Sequence, residues 1–275
     1  MADSGLLGAM PGSVRGERPA LGAKLVTVFS RNAARGAHTH NALIILFSPE
    51  TGDPLAVMDG RYITEIRTAA VSAIASRALA RPNASTVAIL GTGVQARAHI
   101  EAMRTLESVT SIRVWGRDFD KADALAKREP EGGASVRAVA TIGDACRGAD
   151  IVCTVTASDV PVIGAGYIAR GTHINAVGAC TPRARELPAE LVGSSRIVCD
   201  SREGALAEAG DIILAIRDGT LPAQPEIALL CDVVAGKTAG RTSAEEITLF
   251  ESLGVAIEDL ACAALVYERF RSGGA

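Results

Sequence analysis

Aromatic residues are nearly missing from this 275-residue chain, at 3% of the total, so any core must be built from Ala, Val, Ile and Leu. No C-x-x-C pair occurs among Cys146, Cys153, Cys180, Cys199, Cys231 and Cys262. Scattered thiols of this kind argue against a metal or disulfide framework and read as buried cysteines in a reducing cytoplasm. The N-terminus has no basic start followed by an adequate apolar run, and the longest strongly apolar run, "ALIILF" from Ala42, is far too short to span a bilayer. Cationic excess is also absent. A net charge of -3 gives neither nucleic acid nor an anionic membrane an electrostatic hold.

The remaining composition, 48% hydrophobic and 21% charged, is that of a globular protein large enough for two cores. "KLVTVF" (Lys24 to Phe29), "ALIILF" (Ala42 to Phe47) and "LAVM" read as short strands separated by a His-containing loop and by turns at Gly52 and Asp59-Gly60. They predict a meander of adjacent strands, antiparallel or mixed. "RTAAVSAIASRALA", with no Gly or Pro in fourteen residues, predicts a helix that ends before Pro82. From Thr86 the texture changes. "TVAIL", "SIRVW", "SVRAV", "DIVCTV", "THINAVG" and "SRIVCD" alternate with helical patterns, which predicts βαβ units and a parallel sheet. An amphipathic helix, "AIEDLACAALVYERFRSG", closes the chain.

The first of these strands runs into Gly91-Thr92-Gly93-Val94-Gln95-Ala96, a G-x-G-x-x-A turn that opens a helix. Such a turn suits a dinucleotide. The first glycine permits the tight bend, the second lets the backbone approach a pyrophosphate, and a small Ala96 permits close helix–sheet packing. A βα turn without a ligand is the alternative. The next strand ends in "VWGRD", so Gly116 and Arg117 reach the adenosine ribose first and Asp118 comes late. A guanidinium there suits a 2′-phosphate, which favours NADPH, with NADH possible; a solvated surface arginine is the alternative. Thr154 and Val177, in "DIVCTV" and "THINAVG", complete the candidate cofactor contacts.

Four blocks, "LAVMDGRYITEIRTAAVSAIASRALA", "ILGTGVQARAH", "GTHINAVGACTPRARELP" and "SLGVAIEDLACAALVYE", resemble the ornithine cyclodeaminase/mu-crystallin family in content and order. The resemblance runs from about Leu6 onward and is nearest to the ketimine-reductase branch. It implies an α/β protein: a Rossmann-type doubly wound parallel sheet over 81–250, and a smaller α+β substrate and dimerisation domain over 1–80. The helix of 251–275 would return to the smaller domain. It also implies a homodimer and NAD(P)-dependent chemistry at the carbon that bears the nitrogen of an amino or imino acid. Residue by residue, it places the substrate-binding lysine at Lys24 and the carboxylate-binding arginine at Arg67. On periodicity alone, Lys24 reads as a strand-end surface residue and Arg67 as a salt-bridge partner at a helix start.

Two departures from the family pattern bear on the chemistry. Cyclodeaminases and related alanine dehydrogenases carry an aspartate where this chain has Cys180, so a base for water and an anchor for a protonated amine are lost. Cys180 itself reads as a small buried loop residue that also lines the substrate site. Family members further have a helix and strands, including another arginine, before the region that matches Leu6; Arg15 and Arg18 match no motif. The expectation is thus a smaller domain incomplete at its N-terminus, with the chain a fragment, a mispredicted start or a truncation. His40, and less well His38, match a family histidine near the nicotinamide, or are solvated loop residues. His99 reads as part of the Rossmann helix and His173 as a strand start. The combined reading is a reductase of cyclic or linear α-imino acids. Ornithine cyclodeaminase or alanine-dehydrogenase-like activity is one alternative, and a catalytically inactive dinucleotide- or ligand-binding protein another.

Overall fold

Apolar alternation in the first sixty residues builds a four-stranded antiparallel sheet. In the computed structural model, which describes residues 5–129 and 133–273, β1 (Leu6–Val14), β2 (Ala20–Val28), β3 (His40–Phe47) and β4 (Pro54–Asp59) pair in chain order. No strand was expected at β1, where Gly8, Pro11 and Gly12 interrupt the apolar pattern. The strand forms nevertheless because it lies at the sheet edge, where a proline is tolerated. β2 begins at Ala20, four residues before the expected start, so Lys24 stands mid-strand and buried rather than at a surface end.

Helix α1 (Arg61–Leu79) follows β4 directly, six residues earlier than expected. The Asp59 carboxylate accepts the Arg61 N–H at 2.7 Å and caps its first turn. One sheet face carries Ala20, Ile44 and Leu46, which pack with Ile63 of α1 and with Leu260 and Ala263 of the closing helix, Ala256–Arg271. Two glycines permit this close approach. A Cβ on Gly12 would lie 3.1 Å from the Ala256 Cβ, and one on Gly22 would lie 3.0 Å from Leu260 Cδ2. The opposite sheet face is also apolar, and Leu7, Leu25, Leu43, Leu55 and Val57 are exposed on it.

Residues up to Thr68, together with those from Gly254 onward, form one compact unit; Ala69–Leu253 form the other. The sequence reading put this boundary at 80/81. The contacts put it inside α1, because Ala73, Ala75 and Leu79 pack into the apolar clusters of the second unit. That unit holds a parallel eight-stranded sheet. Its strands are β5 (Thr86–Leu90), β6 (Ser111–Trp115), β7 (Ser135–Ala138), β8 (Ile151–Thr154), β9 (His173–Ala176), β10 (Ser195–Cys199), β11 (Ile227–Leu229) and β12 (Ile247–Glu251).

Their spatial order is β11-β10-β12-β9-β8-β5-β6-β7. From β5 the chain runs outward to β6 and β7, then returns to the other side of β5 with β8. The order therefore reverses at β5, and ligands of such sheets bind outside the carboxyl ends of the strands at that point. The fold is α/β, of the doubly wound Rossmann type, with a smaller antiparallel-sheet unit. β11 and β12 were not expected. "ITLFE" is a single five-residue run that follows two glutamates and ends in a third, and it becomes a strand because β9 and β10 flank it on both sides. No helix among the described residues is long and apolar enough to cross a membrane.

Candidate functional site

The β5 turn is built for a backbone approach. The ends of β5, β6, β8 and β9 are level: Leu90 pairs with Trp115 and Thr154, and Thr154 with Ala176. The residues after them form a row. Gly91 N–H donates to Trp115 O at 2.8 Å, and Val177 N–H to Thr154 O at 3.0 Å. Gly91 has φ +139° and packs so tightly that a Cβ would lie 2.7 Å from Val155 O. Gly93 differs, since a Cβ there would meet nothing within 4 Å. Its bareness leaves open space over the start of α2 (Val94–Met103), whose N-cap has no side-chain acceptor. A helix N-terminus with undressed N–H groups beneath open space fits a pyrophosphate. Ala96 is fully buried against the sheet, and the buried Gln95 Oε1 has no protein partner. Val94 is exposed at the turn, and Thr92 is half-buried against Gly116, where a Cβ would strike the Thr92 methyl. Thr154 and Val177 are buried, so they can offer a ligand only backbone.

The ribose end holds the residues named from "VWGRD". Arg117 is exposed. The late acid proves to be the N-cap of α3 (Phe119–Lys127), since Asp118 Oδ1 accepts the N–H groups of Asp120 at 3.1 Å and Lys121 at 3.3 Å. The Lys121 ammonium lies 3.6 Å from its other oxygen. Capping gives this carboxylate work of its own at the helix start.

Behind the ends of β8, β9 and β12 lies a set of buried carboxylates that the sequence reading did not single out. Glu186 Oε1 accepts Thr156 N–H at 2.7 Å, and its Oε2 accepts Gly178 N–H at 2.8 Å. Asp211 Oδ1 accepts the N–H groups of Glu186 and Leu187 at 3.0 and 2.8 Å. Burial, reinforced by the charge of Glu186, pushes Asp211 up to about 7, although its N–H donors pull the other way. Burial and the neighbouring acids hold Glu251 well above the usual carboxylate range.

The smaller unit contains the second cluster. Lys24, from mid-β2, places Nζ 2.7 Å from Asp259 Oδ2, and Arg67, from the second turn of α1, places Nε 3.0 Å from Asp259 Oδ1. Arg67 Nη1 also lies 2.7 Å from Glu258 Oε2. One carboxylate, with no exposure of its own, therefore holds both cations that the resemblance singled out. Glu258 is 12% exposed and is the partner solvent can reach. Burial and then the Arg67 charge hold the Lys24 ammonium below the usual lysine range, while Asp259 and Glu258 pull it back up. Gly254, at φ +81°, packs against the guanidinium, and a Cβ there would land on its nitrogens.

The acidic pair was missed because acids in a first helical turn usually answer the helix dipole. The available signal was spacing: Asp259 and Ala263 are i and i+4, and both lie on the buried face with Leu260. Cys180 also differs from expectation. It is exposed, because the loop after β9 turns outward there, and its thiol donates to Val177 O at 3.3 Å. His99 and His173 are where the sequence put them, in α2 and at the start of β9. Both are bound internally, to Ser72 and Gln95 and to Thr248 and Asn175, and burial lowers them to about 4 and about 3. His40 lies exposed at the start of β3, with Nδ1 2.9 Å from the Thr39 hydroxyl, and His38 is exposed in the preceding loop.

Over residues 1–274 the chain matches the family described as ornithine cyclodeaminase/mu-crystallin. Ketimine reductase mu-crystallin of Mus musculus is 40% identical over 269 residues, 98% of this chain and 82% of that protein. The structure of Thermococcus litoralis Δ1-pyrroline-2-carboxylate reductase in complex with NADH and L-proline is similar at a TM-score of 0.89 and 34% identity, over 98% of this chain and 89% of that one. An archaeal alanine dehydrogenase dimer with bound NAD is similar at a TM-score of 0.86 and 34% identity, over 98% and 87% of the two chains. The chain belongs to the ornithine cyclodeaminase/mu-crystallin family.

Proposed function

We propose that this protein reduces cyclic or linear α-imino acids, of the ketimine and Δ1-pyrroline-2-carboxylate type, with a nicotinamide dinucleotide. The observation that carries this reading is the sharing of buried Asp259 by Lys24 and Arg67. Kinship with a ketimine reductase and with a reductase solved with NADH and L-proline supports it. A dihydronicotinamide, when bound, supplies a hydride for the imine carbon. Arg67 takes the substrate carboxylate on the guanidinium edge that Glu258 now occupies, an exchange of one carboxylate for another. Lys24, with its pKa lowered toward the working range, gives a proton to the imine nitrogen, so that hydride and proton together yield the amine.

Cys180 offers neither a carboxylate to bind an ammonium nor a base for water, which favours imine reduction over deamination of ornithine. The test is steady-state turnover. Δ1-Pyrroline-2-carboxylate should consume NADPH or NADH, whereas ornithine should release no ammonia. Ammonia from ornithine would favour the cyclodeaminase reading, and dinucleotide binding without any turnover would favour an inactive binding protein.

The exposed Arg117, beside an Asp118 already engaged in capping, supports a preference for NADPH. An Arg–phosphate contact contributes about 1.5–3 kcal/mol, so NADPH should bind roughly ten- to a hundred-fold tighter than NADH. Arg117→Ala should weaken NADPH more than NADH in fluorescence titrations. Equal weakening of the two would reduce this arginine to a surface charge.

A second copy of the chain is the proposed partner. Five exposed aliphatic side chains on the outer face of the four-stranded sheet support it, as does a dimeric structure among the relatives. Light scattering should give twice the chain mass, and Leu43→Asp with Val57→Asp should give the monomer. A monomeric parent protein would contradict the proposal. Six cysteines with no disulfide among them support a cytoplasmic location.

A further inference from the structure

We propose that Glu186 is a positioning residue for the nicotinamide half of the dinucleotide, acting by tying the loops after β8 and β9 into one rigid ledge. The proposal rests on the reading that the β5 turn holds a dinucleotide. Glu186 is fully buried and touches neither the glycine turn nor Arg117. Its two oxygens are divided between two loops, one on Thr156 N–H after β8 and one on Gly178 N–H after β9.

The clamp is itself held. Glu186 N–H and Leu187 N–H both donate to Asp211, and the Glu186 carbonyl accepts Val162 N–H at 2.8 Å. Gly178 completes it, because a Cβ there would lie 2.7 Å from Glu186 Cδ and would strike Thr156 O. A bidentate carboxylate on two backbone N–H groups is strong and directional, and a buried charge is kept only where such partners hold it.

Strand order says which half of the ligand this ledge serves. Glycine turn and pyrophosphate sit at β5, and the adenosine ribose is read on the β6 side, at Gly116 and Arg117. β8 and β9 lie on the other side of β5, with their ends level with Leu90. The remaining half of a dinucleotide laid across the reversal point must run over their loops. A loop edge fixed by Glu186 therefore sets where the nicotinamide rests, while the adenosine half is held independently.

The test compares NADH with ADP-ribose, which lacks the nicotinamide, on the full-length chain. Glu186→Gln puts an amide N–H₂ against one of two N–H donors and opens the clamp on one side. NADH affinity should fall at least ten-fold while ADP-ribose affinity stays within two-fold. A merely structural loss would weaken both alike. Gly178→Ala, which keeps the carboxylate and displaces the loop, should give the same one-sided loss and serves if the first variant does not fold. Equal changes in both ligands, or no change in NADH, would overturn the role of Glu186. A parent protein that binds neither ligand would overturn the dinucleotide reading itself.

Discussion

Arg67→Ala is expected to raise the KM for the imino acid and to lower kcat/KM by roughly thirty- to a thousand-fold, equivalent to about 2–4 kcal/mol of lost charge-assisted contact. Dinucleotide affinity should stay near that of the parent, because the glycine turn lies in the other unit. The structure adds a second consequence. Arg67 pairs with both Asp259 and Glu258, so its removal takes a cation from two carboxylates, one of them fully buried. Breaking a buried pair by removing one partner costs about 3–5 kcal/mol, so the variant should also melt earlier. Arg67→Lys separates the effects. It keeps the charge while losing the two-edged geometry, so much of the stability should return and little of the catalytic efficiency. Unchanged kinetics in the alanine variant would remove Arg67 from the site.

Asp259→Asn is expected to have the other large effect, although Asp259 need not touch substrate. The amide can still accept from Arg67 Nε, but Lys24 loses its ion pair. Asp259 is among the groups that raise the Lys24 pKa against burial and Arg67, so its loss must lower that pKa further. The alkaline limb of kcat/KM, where the proton on Lys24 is lost, should then move to lower pH. The stability effect has a definite sign. A lysine with a lowered folded-state pKa binds fewer protons folded than unfolded between that pKa and 10.5, so its contribution rises with pH across that window. The variant should therefore be most destabilised at low pH and recover part of the loss as pH rises. A pH profile superimposable on that of the parent would show that Asp259 is only a structural counter-ion.

Local patterns carried much of the architecture. The change of texture at Thr86 announced the parallel sheet, and the strand before Gly91 with the helix after it singled out the glycine turn, whereas the reversal of strand order at that turn shows only in the structure. Alternation lost its meaning where a strand broke its own rule, as in β1 with Pro11, or was flanked on both sides, as in β12. The site was legible to the extent that one residue type in a local motif reports a role. Gly91, Gly93 and Arg117 could be singled out in this way. Lys24 and Arg67 could not, because 43 positions separate them in sequence and the residue that unites them, Asp259, comes from the closing helix. Glu186 is hidden for the same reason. A buried carboxylate that accepts two backbone N–H groups leaves little local trace, since any residue but proline can supply such a donor. Asp118 shows the converse: an acid read for its distance from a ligand is explained by the helix it starts.

Hydride should pass from a nicotinamide to the imine carbon of an α-imino acid. NADPH or NADH deuterated at the transferable C4 position, incubated with Δ1-pyrroline-2-carboxylate and this protein, tests it directly by mass spectrometry of the product. One deuterium at the α-carbon of proline, present with the parent protein and lost in proportion to activity with Arg67→Ala, is the expected result. Proline without label, or no proline at all while the dinucleotide still binds, would contradict it.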